Sequence, residues 1–238
     1  MFHESILEQC SISVKMVLMA TKTQRAERRT DALSKERIVE AAMKILDTDG
    51  ESALTFRALA ARLATGSGAI YWHVANKNEL LVAATNDVIA RVMSGVVSGA
   101  EPREAIRAIA SGVFDAIDAH PWVGAQLSRE PWQSAMLQIL ESVGGQLQAL
   151  GVPERAQFDC ASALVNYVLG LAGQYAAAAR LLPPDTDRSA FLAAVAARLD
   201  PVEYPFVRQV ATQLREHDDR EQFLAGIDLI LAGIGTVR

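Results

Sequence analysis

From Leu33 onward, apolar residues recur at the spacing of helix turns. Ile38, Ala41, Ala42, Ile45 and Leu46 follow an i, i+3, i+4, i+7, i+8 pattern, which predicts an amphipathic helix opened by Ser34 as N-cap and stopped at Asp49-Gly50. Thr55 caps a second, short helix of about nine residues, whose Phe56, Leu59, Ala60 and Leu63 share one face. After Ala64-Thr65-Gly66, Ser67 is expected to cap a third short segment that ends before Ala75-Asn76. Two short helices joined by about three residues and propped by a longer first one read as helix-turn-helix, whose second member enters the DNA major groove. Asn76 and Glu79 then have the spacing of a capping box opening a fourth helix, with Lys77 at its start.

The remaining chain is helical in pattern throughout, with no strand-like alternation and no internal repeat. The fourth helix continues through Leu80–Met93 and frays at Gly95 and Gly99. Glu101-Pro102 opens the next, with Ile106, Ile109, Ala110, Val113, Phe114 and Ile117 as its apolar stripe until His120-Pro121. Further helices are predicted at 132–150, 155–181, 188–199 and 204–236, the last broken near His217-Asp218-Asp219. The expected fold is all-α: a flexible or basic extension at 1–32, a three-helix DNA-binding domain with helix-turn-helix at 33–80, and a larger helical effector-binding and dimerisation domain at 81–238.

Composition agrees with long helices. The 238 residues are half hydrophobic, 6% aromatic and 21% charged, with 15 Gly and 8 Pro, too few for the many turns of a sandwich or barrel. Cys10 and Cys160 are far apart and in no metal spacing, which suits a reducing cytoplasm and predicts no cofactor or metal. The net charge of −5 argues against phosphate binding until it is divided along the chain: −2 for residues 1–14, +3 for 15–80 and −6 for 81–238. The opening run carries Glu4 and Glu8 where a signal peptide needs positive charge, and Met16 and Met19 are alternative starts. Lys22, Arg25, Arg28 and Arg29 then form either a solvated tail or a basic arm reaching DNA.

The residues Leu54-Thr55-Phe56-Arg57-Ala58-Leu59-Ala60-Ala61-Arg62-Leu63, followed after a turn by Ala69-Ile70-Tyr71-Trp72-His73-Val74-Ala75-Asn76-Lys77, resemble the DNA-binding domain of TetR-family (tetracycline repressor-like) transcriptional regulators. The resemblance covers residues 33–82. It implies that Thr55 and Lys77 hold phosphates, that Arg57 reaches a base edge, that Ser67, Gly68 and Ala69 line the groove, and that Tyr71 and His73 contact the backbone, with Trp72 on the same surface. The alternative for Tyr71 and Trp72 is that they plug the small core. The chain departs from the family pattern in the turn, where Ala64-Thr65 replaces the common Gly-Val.

In the larger domain, the segments 155–181 and 220–235 are apolar nearly all round, and Gly170, Gly173 and Ala172 permit close helix approach. They are assigned to a four-helix homodimer seam, as the resemblance also implies; a plain core is the alternative. His120, Trp122, Gln126, Trp132, Asn166, Tyr167, Gln174 and Tyr175 punctuate these apolar helices and are candidates for lining an unknown small-molecule effector cavity within 100–180. Each can equally be a satisfied core residue. The sequence holds no His-x-x-x-His pair, Gly-x-Ser-x-Gly elbow or phosphate loop, which argues against an enzyme. The expected function is a cytoplasmic repressor that binds palindromic double-stranded operator DNA and is released by its effector, with no membrane partner. The competing reading is a helical protein-interaction module without DNA or ligand.

Overall fold

A computed structural model describes residues 33–97, 99–130, 132–181 and 188–237; the basic arm proposed at 22–29 lies outside the described residues. Every regular element among them is helical: α1 (Lys35–Asp49), a 3₁₀ turn (Glu51–Ala53), α2 (Phe56–Arg62), α3 (Ser67–Tyr71), α4 (Lys77–Ser94), α5 (Pro102–Ala119), α6 (Pro121–Arg129), α7 (Ser134–Ala149), α8 (Glu154–Leu181), α9 (Arg188–Arg198), α10 (Pro205–Gln209), α11 (Ala211–Glu216) and α12 (Asp219–Ile234).

The small N-terminal unit, the head, is fixed by its caps and one aliphatic core. The Ser34 hydroxyl accepts from the Arg37 N–H at 3.3 Å, and Thr55 does the same for Ala58 at 3.1 Å. Ile38, Ala42, Leu54, Leu59, Ile70, Val74 and Leu80 are all but fully buried between α1, α2, α3 and the start of α4. Between α2 and α3 the chain reverses through a Schellman motif: the Thr65 N–H reaches the Ala60 carbonyl at 3.0 Å and the Ala64 N–H that of Ala61 at 3.3 Å. This closure needs a left-handed residue, and Ala64 supplies it at φ 50°, a conformation in which its Cβ crowds the following carbonyl. The turn that departs from the family pattern is therefore formed, with backbone strain in place of a glycine. Ser67 is not a cap: Gly66 occupies that position, with no side-chain hydrogen bond.

The body is built on α5, α7 and α8, which pack against one another, with α12 lying across α8 and α5. Arg220 pairs with Asp115 at 3.0 Å and Arg107 with Asp228, tying α12 to α5. Helix α4 serves both units, since Leu80, Leu81 and Ala84 are buried at its head end and Val88 and Ile89 further on. Two features differ from the sequence reading. His120-Pro121 ends α5 but also begins α6, with Pro121 in the first helical turn, where a missing N–H costs nothing. The helical stretch over 204–236 is broken at His217-Asp218 as expected, where the Asp218 carboxylate accepts from the Glu221 N–H at 2.8 Å, but it is broken again at Val210, which makes three helices of it.

Candidate nucleic-acid interface and effector groove

Helix α3 turns Ile70 fully inward, and Val74 just beyond it is buried as well, so the residues between and before them face outward. Ser67 and Gly68 are exposed and Ala69 is half-buried. Trp72 is 90% exposed and Tyr71 56%, so neither fills the core. Instead the Tyr71 ring stacks on Phe56 of α2, centroids 4.2 Å apart and planes 3° from parallel, which fixes its hydroxyl end at the surface. His73 is half-buried beside them, and Arg57 stands exposed on α2. An exposed Trp beside a fixed Tyr, on a helix whose first residues carry almost no side chain, gives a convex surface that fits a groove rather than a pocket.

The start of α4 is a second fixed point. The Asn76 side chain accepts from the Glu79 N–H at 2.9 Å, while the Glu79 carboxylate reaches back to the Ala75 N–H at 2.8 Å, one residue earlier than in a standard capping box. That N–H, followed by Lys35 at 3.1 Å, holds the Glu79 carboxyl below its usual pKa. Lys77 Nζ donates to the Glu51 carbonyl at 2.5 Å, which immobilises the ammonium at the helix start and leaves two of its three N–H groups for another acceptor.

Glu51 also faces the body. Its carboxylate is held in a two-pronged pair by Arg129 of α6, at 3.1 and 3.0 Å. Arg129 lowers the Glu51 pKa and Glu51 raises that of Arg129. Asp47, near the end of α1, accepts from the Trp122 indole N–H at 2.7 Å and pairs with His120 at 2.8 Å. Asn78 reaches Glu130 at 2.5 Å. The head is thus bonded to both ends of α6.

A cavity of the body, about 440 Å³, is an open groove walled by Leu127 and Ser128 of α6, Trp132, Met136 and Leu140 of the α7 region, and Phe158, Ser162, Val165, Asn166, Leu169 and Gly170 of α8. None of these lining residues is charged. Of the eight candidates in this domain, the structure brings Trp132 and Asn166 into the groove. Gln126 lies one residue behind the wall, 1% exposed, with its Nε2 unpartnered and its Oε1 near Arg129 at 3.3 Å. Gln174 is exposed two turns along the Asn166 face of α8, and the side chain of Tyr175 lies outside the description.

The other three are placed elsewhere. His120 and Trp122 sit at the head–body junction on Asp47, and Tyr167 sits in the α8–α12 seam, donating to the Phe223 carbonyl at 3.2 Å and stacked on its ring. Burial raises the Tyr167 pKa. Asn166 faces the groove while its neighbour Tyr167 is turned about 100° further round α8 onto Phe223 of α12, so these two do not share one site. Phe158, Ser162, Val165, Leu169 and Gly170 join Asn166 by a pattern the sequence carries: positions 158, 162, 165, 166, 169 and 170 follow i, i+4, i+7, i+8, i+11, i+12 on one helix face.

Comparison with known proteins gives two family matches: "Bacterial regulatory proteins, tetR family" over residues 38–84 and "Tetracyclin repressor-like, C-terminal domain" over residues 99–238. The chain belongs to the TetR family of bacterial regulatory proteins. Members of this family are DNA-binding transcriptional regulators, not enzymes. Among solved structures, a TetR-type transcriptional regulator of Streptomyces coelicolor is 51% identical with a TM-score of 0.78, the alignment covering 87% of this chain and 99% of that one. BioQ in complex with its double-stranded DNA operator is 27% identical with a TM-score of 0.60, covering 86% of this chain and 99% of that one. A curated relative, a helix-turn-helix-type transcriptional regulator of Saccharopolyspora erythraea, is 32% identical over 63% of this chain and 64% of its own length, just under two-thirds. For this TetR-family chain, the head is the region of the first match and the groove lies within the second.

Proposed function

We propose that this TetR-family regulator binds a palindromic operator as a homodimer, acts as a repressor, and is released by a small molecule seated in the body groove. The observation that carries the DNA reading is the outward surface of α3, with Trp72 and Tyr71 exposed and Ile70 buried on the opposite side. On it Ser67, Gly68 and Ala69 line the major groove with little to clash, and Tyr71, Trp72 and His73 flank them against the backbone. Thr55 and Lys77 hold phosphates and Arg57 reaches a base edge. BioQ, solved with its operator, supports the same use of the shared fold.

Dimerisation follows from what α8 and α12 leave uncovered. Ala163, Asn166, Gly170, Gln174 and Ala177 form an exposed stripe of small and amide side chains along α8, its Asn166 and Gly170 shared with the rim of the groove, and Ala225, Leu229, Ala232 and Gly233 form another on α12, where Leu229 is 75% exposed. Paired with a second copy, they close a four-helix seam and set two heads side by side. No helix among the described residues is long and apolar enough to cross a membrane, in keeping with a role in the cytoplasm. The test is a footprint on the DNA flanking the protein's own gene. The expected result is a protected palindrome with half-site centres about 34–36 Å apart or a multiple of that. Equal protection of unrelated duplex at moderate salt overturns the reading.

A further inference from the structure

Three observations meet on α6. Ser128 is part of the groove wall, and its hydroxyl donates back to the Gly124 carbonyl at 2.9 Å, so it offers the groove only lone pairs. Arg129, the next residue, grips the Glu51 carboxylate on the head side. Glu51 in turn holds Lys77 through its carbonyl. One residue of the head therefore bonds, through its two ends, a body arginine that adjoins the groove and the lysine proposed to hold a phosphate. Behind the wall, the Gln126 amide is buried with an unpartnered Nε2 and leans on the same Arg129, while the buried Gln133, whose Nε2 donates to the Gln126 carbonyl at 3.0 Å, has an unpartnered Oε1. Unpartnered buried polar atoms hold a wall weakly in one position, because a small shift that satisfies them is favourable.

The groove itself states what it accepts. Its wall is apolar except for two serines and an amide, its volume of about 440 Å³ suits a molecule of two or three rings, and Trp132 and Phe158 stand 79% and 71% exposed at its edge as stacking faces. With no charged side chain to pair it, an ionised ligand would lose its hydration without compensation. We propose that the groove takes an uncharged, planar aromatic effector with a hydrogen-bond donor for Ser128, and that its occupancy reaches the DNA-contacting Lys77 through the relay Arg129–Glu51–Lys77. This rests on the regulator reading above and names the ligand class and the regulation of that same groove.

The probes are N-phenyl-1-naphthylamine, which is neutral and carries one N–H, and 8-anilino-1-naphthalenesulfonate, the same ring system with a sulfonate. With the full chain, the neutral probe should bind saturably, one per chain, and the sulfonate at least about tenfold more weakly, the desolvated charge being unpaired. Ser162→Phe, which fills the groove, should abolish the neutral probe's signal. Equal binding of the two, binding unaffected by Ser162→Phe, or dissociation of the dimer by the probe overturns the ligand class, the last assigning the groove to a second copy of the chain.

The relay is read without DNA by hydrogen exchange. Saturation with the neutral probe should change exchange over residues 45–53 in the wild type but not in Arg129→Ala, which should bind the probe unchanged. The exchanged pair Glu51→Arg with Arg129→Glu should restore the change. On the flanking-gene DNA, the neutral probe should weaken wild-type binding by about fivefold or more and Arg129→Ala by less than about twofold. If residues 45–53 respond equally in Arg129→Ala, the relay is wrong even where the regulator reading stands. A wild type that shows the exchange response but never prefers that DNA contradicts the regulator reading instead.

Discussion

The head and the body bury aliphatic side chains equally well but treat their polar groups differently. In the head, the helix starts at Ser34, Thr55 and Asn76 are closed by side-chain caps, and the α2–α3 turn closes both Schellman bonds even though Ala64 must adopt φ 50°. Body helices are capped too, at Glu101 and Asp218, but there Gln126 and Gln133 keep unpartnered amide atoms beside an open apolar groove, whereas none of the unpartnered buried side-chain atoms found among the described residues lies within 33–80. The difference matches two tasks. A surface that reads a fixed duplex works best when rigid, whereas a surface that responds to a ligand needs a second arrangement close in free energy to the first.

The contrast can be broken at its strongest point by cutting side chains on each side of it. Leu59→Ala in the head, where the residue is fully buried, should lose about 2–5 kcal/mol of stability, whereas Leu140→Ala at the groove should lose clearly less because its side chain already borders space. Denaturant titration decides, and equal losses would mean that the groove is packed core. Next comes Arg57→Ala, expected to cost about 1–3 kcal/mol of specific operator binding while leaving non-specific binding nearly unchanged. An equal loss on both duplexes makes Arg57 a phosphate contact.

Ala64→Gly sharpens the reading of the head as a strained but closed unit. Relief of the left-handed alanine, partly offset by the freer unfolded chain, should raise stability by about 0.5–1 kcal/mol in thermal or denaturant unfolding. A loss would show that the turn is not strained. The smallest effect concerns the junction. Because Arg129 holds the Glu51 carboxyl below the ordinary glutamate value, this pair stabilises the fold above that ordinary value, and its contribution fades as the pH falls through the lowered one. Comparing wild type with Glu51→Gln from pH 6 to pH 3 should show a slightly flatter stability profile for the variant; parallel profiles would mean that the pair contributes nothing.

The two regions also differ in how far the sequence alone reveals them. Head elements are encoded by neighbours: Ser34, Thr55 and Asn76 act on N–H groups three residues ahead, and the apolar stripes of α1 and α2 are unbroken. The body is decided at long range. His120 and Trp122 look like pocket residues until Asp47, more than seventy positions earlier, is seen to take both. Pro121 reads as a stop because the same ring that ends one helix is tolerated in the first turn of the next. Asn166 and Tyr167 differ only in which side of α8 meets α12, which no local pattern states.

In the proposed binding mode, the head of this TetR-family protein engages DNA through Lys77 at the start of α4. The most direct test is the salt dependence of binding to the flanking-gene duplex for wild type and Lys77→Gln, which removes the charge but keeps a donor for the Glu51 carbonyl. With about 0.9 released counterions per phosphate contact and two heads per dimer, the slope of log K against log salt should fall in magnitude by about 2 in the variant. An unchanged slope, or a wild type that binds unrelated duplex equally well, would contradict the account.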